Sequence, residues 1–275
     1  MKIQFWHPSR SALLSAALVF SFSTASFGSP LSLAAGLDIY NFDYQEDLVL
    51  PAKSTESAIL PAISLGAHWN VAPRSWFLQS NLEFTSGTTH YDGSSFNPQQ
   101  NTQPLLDTPP STMLRAELGL GNSLVSFSEI SELKIYSGLA YFGWARGDNG
   151  VNRAGMNTLR ENYNKLILPL GLLLHYQMSD HFSATLDTSL RYAFFSTMRV
   201  PLWDKNFDLG NTLGYKMQIP LAFALSGNTG LTLTPWLEYL NNSESDPTAS
   251  PVGPINEPAS RTYQYGSALA FTLGI

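Results

Sequence analysis

A closed, antiparallel, up-and-down β-barrel of ten membrane-crossing strands is the fold this sequence predicts, with eight or twelve strands as alternatives. Three observations carry it. Apolar and polar residues alternate with period two through about ten segments. The connections between those segments alternate short and long. Only 13% of the residues are charged, about half the share usual in a soluble domain.

The segments fall near residues 31–45, 57–70, 75–89, 111–124, 130–145, 163–178, 181–196, 210–226, 230–242 and 261–275. The last shows the alternation plainly. Tyr263, Tyr265, Ser267, Leu269, Phe271, Leu273 and Ile275 share one face, and Gln264, Gly266, Ala268, Ala270, Thr272 and Gly274 share the other. In the seventh, Phe182, Ala184, Leu186, Thr188, Leu190, Tyr192 and Phe194 oppose Ser183, Thr185, Asp187, Ser189, Arg191 and Ala193. In the sixth, Leu166, Leu168, Leu170, Leu172 and Leu174 make one apolar row. One face meets lipid and the other lines a lumen. The longest apolar run, Leu166 to Leu174, contains Pro169 and is too short for a bilayer-spanning helix.

Short connections follow the even segments at Val71–Arg74, Val125–Glu129, Ser179–Asp180 and Gly227–Thr229, and long polar ones follow the odd segments. That asymmetry characterises outer-membrane barrels. An even strand number leaves both chain ends on the short-turn, periplasmic side. Aromatic residues gather near segment ends, as two interfacial girdles require. The long-loop side has Tyr40, Phe42, Phe84, Tyr141, Trp144, Tyr163, Phe194, Tyr215, Tyr239 and Tyr263. The short-turn side has Trp69, Trp76, Phe127, Tyr176 and Phe182. Lipid supplies no hydrogen-bond partners, so a membrane sheet must close on itself.

Residues 1–25 read as a secretory signal peptide: Lys2 and Arg10, an apolar stretch from Ser11 to Phe20, then Ser23 and Ala25 before the cleavage point, which could lie as late as residue 28. The barrel domain is expected over 29–275. Cleavage removes two bases and no acids, leaving 13 basic against 21 acidic residues, a net charge of −8. An acidic chain without a Lys/Arg-rich run excludes a nucleic-acid partner. With no cysteine, thiol chemistry, disulfides and lipid attachment to cysteine are all excluded.

The chain resembles small bacterial outer-membrane β-barrel proteins, on the C-terminal alternation Leu269, Phe271, Leu273, Ile275 and on the stretches Tyr136–Trp144 and Leu159–Tyr163. The resemblance implies an outer-membrane location. It also implies contact with outer-membrane lipid and lipopolysaccharide, and recognition of the last strand by the barrel-assembly machinery. The chain ends on Ile275, where an aromatic residue is usual.

The size also matches the omptin proteases, whose acidic and Asp-His residues act at the extracellular rim. Here Asp180-His181 falls in a short turn, where Asp serves the backbone locally. Outer-membrane lipid A deacylases use a His-Ser pair oriented by Glu, but neither His175, at the short-turn end, nor His90, in a long loop, has a spacing that ties it to such partners. No phosphate loop, paired-His metal motif or serine elbow is present. No catalytic residue, cofactor or metal is expected.

Extending the parity that turns apolar rows outward places Asp38, Glu83, Arg115, Glu117, Lys134, Lys165, Asp187, Arg191, Lys216 and Glu238 in the lumen, five acids and five bases. Balanced signs suggest interior ion pairs, whereas an ion-selective path favours a ring of one sign. Tyr40, Phe77, Tyr136, Phe142 and Trp236 share this face and leave little room. Glu117 and Lys134, nearly equidistant from a turn centred near Ser126, are expected to be cross-strand neighbours. The long loops, notably 92–111 and 243–260, are rich in Asn, Gln, Ser, Thr, Pro and Gly, and suit binding on a rigid scaffold. The leading functional reading is a barrel with a structural or loop-mediated interaction role. A narrow channel for small solutes is the alternative, and an outer-membrane hydrolase a third reading.

Overall fold

The computed structural model describes residues 30–48, 52–71, 75–95, 103–128, 130–148, 160–250 and 253–275. The expected signal peptide lies outside them. Ten strands form the barrel: β1 (Leu31–Glu46), β2 (Ser54–Val71), β3 (Trp76–Thr88), β4 (Pro110–Ser128), β5 (Ser131–Arg146), β6 (Glu161–Ser179), β7 (Phe182–Val200), β8 (Thr212–Gln218 and Leu221–Ser226, interrupted at Ile219–Pro220), β9 (Thr229–Asn242) and β10 (Ser260–Gly274). Each pairs antiparallel with its sequence neighbours, and β10 pairs with β1 from Ser32↔Gly274 to Glu46↔Ser260. Closure removes both sheet edges, which lipid would leave unsatisfied. Ile275 N–H donates to Leu31 O at 2.8 Å, so even the last residue is bonded to the first strand.

The period-two expectation holds along the walls. Leu37, Ile39, Ile63, Leu118, Leu139, Leu170, Leu190 and Leu269 are exposed on the outside, while Asp38, Glu83, Lys165, Asp187, Arg191 and Glu238 are buried inside. An apolar exterior and a polar interior suit a sheet bathed in hydrocarbon. Trp69, Trp76, Phe127 and Tyr176 are exposed at the short-turn end, as a girdle requires.

The long-loop girdle is corrected. Phe84, Phe194, Tyr215 and Tyr263 face outward, but Tyr40, Phe42, Trp144 and Tyr163 are buried in the lumen. They share parity with the inward charges, which overrides their position near a strand end. Between Leu166 and Ile167 the β6–β7 register slips by one residue, and Phe194 and Phe195 are both exposed. A bulge of this kind reverses the parity of the rest of the strand, so Ser196, Met198 and Val200 are the buried residues beyond it.

The long connections are partly ordered. His90–Ser95 extends the sheet by pairing with β2 and with Gln103–Asp107, Lys205–Asp208 folds back on β7, and Thr248–Ser250 pairs with Gly253–Ile255. Polar composition here does not prevent ladder formation.

Candidate functional site

The lumen is filled from its middle to the long-loop end. Trp144 stacks on Tyr163 at 4.9 Å between centroids and meets Phe42 and Tyr44 edge-on at 5.1 and 5.3 Å. Its indole N–H donates to Ser111 Oγ at 2.6 Å. Below this layer, Arg115 lies 5.2–5.6 Å from the rings of Tyr40, Phe142 and Trp236, pairs with Glu83 at 2.5 Å and donates to Gln264. An arginine planar enough to stack on rings and reach a carboxylate at once suits such a packed interior.

The inward charges join across the lumen as well as between neighbouring strands, where Arg115 lies opposite Glu83. Arg191 on β7 reaches Glu117 on β4 at 2.9 Å and Glu238 on β9 at 2.8 Å. Asp187 accepts from Tyr136 O–H at 2.9 Å and Gln218 Nε2 at 2.6 Å, and Asp38 Oδ2 accepts from the Trp236 indole at 2.8 Å. Lys165 Nζ donates to Asn242 Oδ1 at 2.5 Å. Lys216 faces Glu238 across the β8–β9 ladder.

The expected Glu117–Lys134 pair does not form. Glu117 lies opposite Ala140 and Lys134 opposite Ser123, and Lys134 pairs instead with Glu132 at 3.0 Å. The reason is geometric. β4 runs on to Ser128, which pairs with Ser131, so the turn comes later than Ser126, with Lys134 three residues from it and Glu117 eleven. Lys134 thus belongs to the short-turn end, over the ring of Phe77.

A second cluster, at the long-loop mouth, was missed from sequence. Arg146 pairs with Glu56 at 2.6 Å, Glu161 at 3.0 Å and Glu46 at 3.8 Å, and lies over the rings of Tyr44, Tyr91 and Trp144. Glu56 also accepts from Thr89. Glu257, from the loop between β9 and β10, enters the same cluster. Its Oε1 accepts from Tyr163 O–H at 2.8 Å and Tyr44 O–H at 3.4 Å. Burial, with the Glu161 and Glu46 carboxylates nearby, pushes the Glu257 carboxyl up to about 8. Glu46, Glu56, Arg146 and Glu161 have the inward parity of their strands, so carrying that parity to the strand ends would have found them. Glu257 is a loop residue and carries no such signal.

The histidines form no serine pair among the described residues. His175 shares a depression with Ser126, Ser128, Ser131 and Glu132 at the short-turn rim, but its Nδ1 bonds Thr185 Oγ1 at 3.0 Å while Glu132 is held by Ser123 and Lys134. Asp180 and His181 sit exposed in a hairpin turn, and His90 is exposed in the loop sheet.

No protein-family model matches the chain, and no curated protein does. Solved structures do. The outer-membrane protease OmpT from Escherichia coli aligns with 89% of this chain and 96% of its own at TM-score 0.56 and 9% identity. The translocator domain of the autotransporter NalP from Neisseria meningitidis aligns with 90% of this chain and 89% of its own at TM-score 0.45 and 11% identity. The COG4313 outer membrane channel from Pseudomonas putida F1 aligns with 97% of this chain and 100% of its own at TM-score 0.40 and 7% identity. The chain has the fold of the bacterial outer-membrane β-barrels, a closed antiparallel barrel of ten strands. At 9% identity the OmpT likeness establishes the barrel's fold alone. In this barrel's interior, aromatic rings and ion pairs occupy the long-loop half.

Proposed function

We propose that this is a plugged, non-conducting outer-membrane barrel with a structural role and an interaction role carried by its long-loop end. One observation carries the reading: the aromatic layer around Trp144 and the Arg115 and Arg191 networks fill the lumen, leaving beneath them a chamber of about 80 Å³. A solute path needs a continuous opening, and a selective one favours a ring of like charge. Here opposite charges meet each other. The outward apolar rows would lie against outer-membrane lipid and lipopolysaccharide, the long loops would be extracellular, and β10 would be the segment read by the barrel-assembly machinery.

The test is conductance of the purified protein in planar bilayers. Wild type is expected to show little or rare current. The combined change Arg146→Ala, Trp144→Ala and Tyr163→Ala, which empties the mouth, is expected to raise it. Large, steady wild-type current would overturn the plugged reading and favour a narrow solute channel.

A further inference from the structure

Strand β8 is broken at Ile219–Pro220 without a slip in register. Above the break Gln218 lies opposite Trp236 on β9 and Asp187 on β7, and below it Leu221 lies opposite Leu233 and Ala184. The same count sets Ile219 against Pro235, and Pro220 against Thr234 on one side and Thr185 on the other. Bonded partners in an antiparallel ladder exchange two hydrogen bonds. Ile219 N–H donates to Pro235 O and Thr185 N–H donates to Pro220 O, both at 3.0 Å. Neither bond is returned, because proline has no N–H. Two adjacent rungs, one on each side of β8, therefore hold by a single bond each. Interior strands normally exclude proline for this reason, and hydrocarbon supplies no replacement donor.

The wall is also thin at this level. On the inside Pro220, Thr234 and Ala268 line the chamber below the Arg115 network, with Thr234 opposite Ala268. On the outside a hollow of about 690 Å³ surrounds Ile219, Pro235 and Ser267, with Ser267 opposite Pro235 at the middle of β10. Gln218 and Trp236 line both spaces.

Firmer contacts bracket the break. Gln218 Nε2 donates to Asp187 Oδ2 at 2.6 Å just above it, and Phe223 stacks on Phe182 at 4.7 Å below it. A segment with few bonds between two fastened points opens locally, at less cost than unfolding of the whole sheet.

We propose that this seam is a lateral gate. Ile219–Leu221 moves away from β7 and β9 and joins the outer hollow to the chamber. A small uncharged solute dissolved in the bilayer then enters the chamber from the side, without passing the filled long-loop half of the lumen. Charged solutes are excluded because the approach runs through hydrocarbon. Size is limited by a chamber of about 80 Å³.

The test uses the full barrel refolded into vesicles. The chain has no cysteine, so Thr234→Cys places a single thiol in the chamber wall. The probe is a phospholipid bearing a maleimide at the end of one acyl chain, which keeps the reactive group inside the bilayer. Labelling is followed by intact mass, and its rate is expressed relative to Leu233→Cys, whose thiol faces lipid on the same strand. The chamber thiol is expected to react. Replacing Pro220 and Pro235 by Val returns both missing N–H donors and should slow that reaction at least about tenfold. If Thr234→Cys does not fold, Ala268→Cys presents a thiol to the same chamber and carries the same test. No label on the chamber thiol, or an equal rate with both prolines replaced, would overturn the gate.

Discussion

Tyr163 donates its hydroxyl hydrogen to Glu257 Oε1 at 2.8 Å, tying the loop between β9 and β10 to the inner wall of β6. Ser245 N–H donates to the Glu257 carbonyl at 2.9 Å, and Glu257 N–H to Ser245 Oγ at 2.7 Å. The Glu257 carboxyl thus joins the strap to the wall between its bonded ends, where Ser243 N–H donates to Asn211 O at 3.1 Å and Asp47 N–H to Ala259 O at 2.7 Å. Around it stand Glu46 and Tyr44 from β1, Glu56 from β2, Tyr91 from the loop sheet, Arg146 from β5 and Glu161 from β6.

Loop closure should accordingly depend on pH. In the closed strap Glu257 is raised to about 8, against 4.5 for a free glutamate. The closed state keeps its proton between those values while the released state loses it. Closure is thus strongest at and below about pH 4.5, weakens as pH rises through the window, and reaches its minimum above about 8. Hydrogen exchange of residues 243–259, corrected for intrinsic rates, should rise across this range. Glu257→Gln keeps an acceptor for Tyr163 without a titrating proton and should flatten the profile. A flat wild-type profile would refute the dependence.

Arg191 serves two carboxylates at once, so its loss should be costly. Arg191→Met leaves Glu117 and Glu238 buried without their guanidinium. The expected destabilisation is about 3–5 kcal/mol, and adding Glu117→Gln and Glu238→Gln should recover most of it. Lys134→Met breaks the partly exposed pair with Glu132 and the ammonium's contact with the Phe77 ring, and should cost about 1–2 kcal/mol. Urea unfolding of barrels refolded into vesicles measures all three.

Gly171 gives Tyr136 its place. A Cβ on Gly171 would come within 2.2 Å of the Tyr136 ring, whose hydroxyl donates to Asp187. Gly171→Val should therefore displace the ring and cost about 1–3 kcal/mol in the same assay. Gly227→Ala is the control: nothing lies within 4 Å of its added carbon, so the change should stay within about 0.5 kcal/mol.

Sidedness can be read on whole cells. An epitope inserted between Asp246 and Pro247, both exposed and clear of the Ser245–Glu257 bonds, should be accessible to antibody. One inserted at Gly227 should be reached only after the outer membrane is permeabilised. The reverse pattern would invert the orientation.

The sequence by itself determined the ten strands, the parity of their walls short of the bulge in β7, and the gathering of the long connections at one end of the barrel. A membrane barrel turns alternate residues to two different solvents, and each wall residue reports its solvent through its own chemistry, as Leu170 and Arg191 do. The inward set, Asp38 through Glu238, was legible for the same reason.

Only the tertiary structure decided which inward groups meet. Arg115 and Gln264 are 149 positions apart, and Arg191 and Glu117 are 74 apart, yet each pair touches because closure brings non-neighbouring strands across a narrow lumen. Sequence distance from a turn cannot see those contacts. Nor does it fix the turn between Ser128 and Ser131, which leaves Lys134 near the turn and Glu117 far up the strand. The capture of Glu257 by Tyr163 depends likewise on where a loop lands once the barrel is closed. Alternation is a local property of a strand in a divided solvent, whereas pairing across the lumen is set by register, bulges and closure, which belong to the whole sheet.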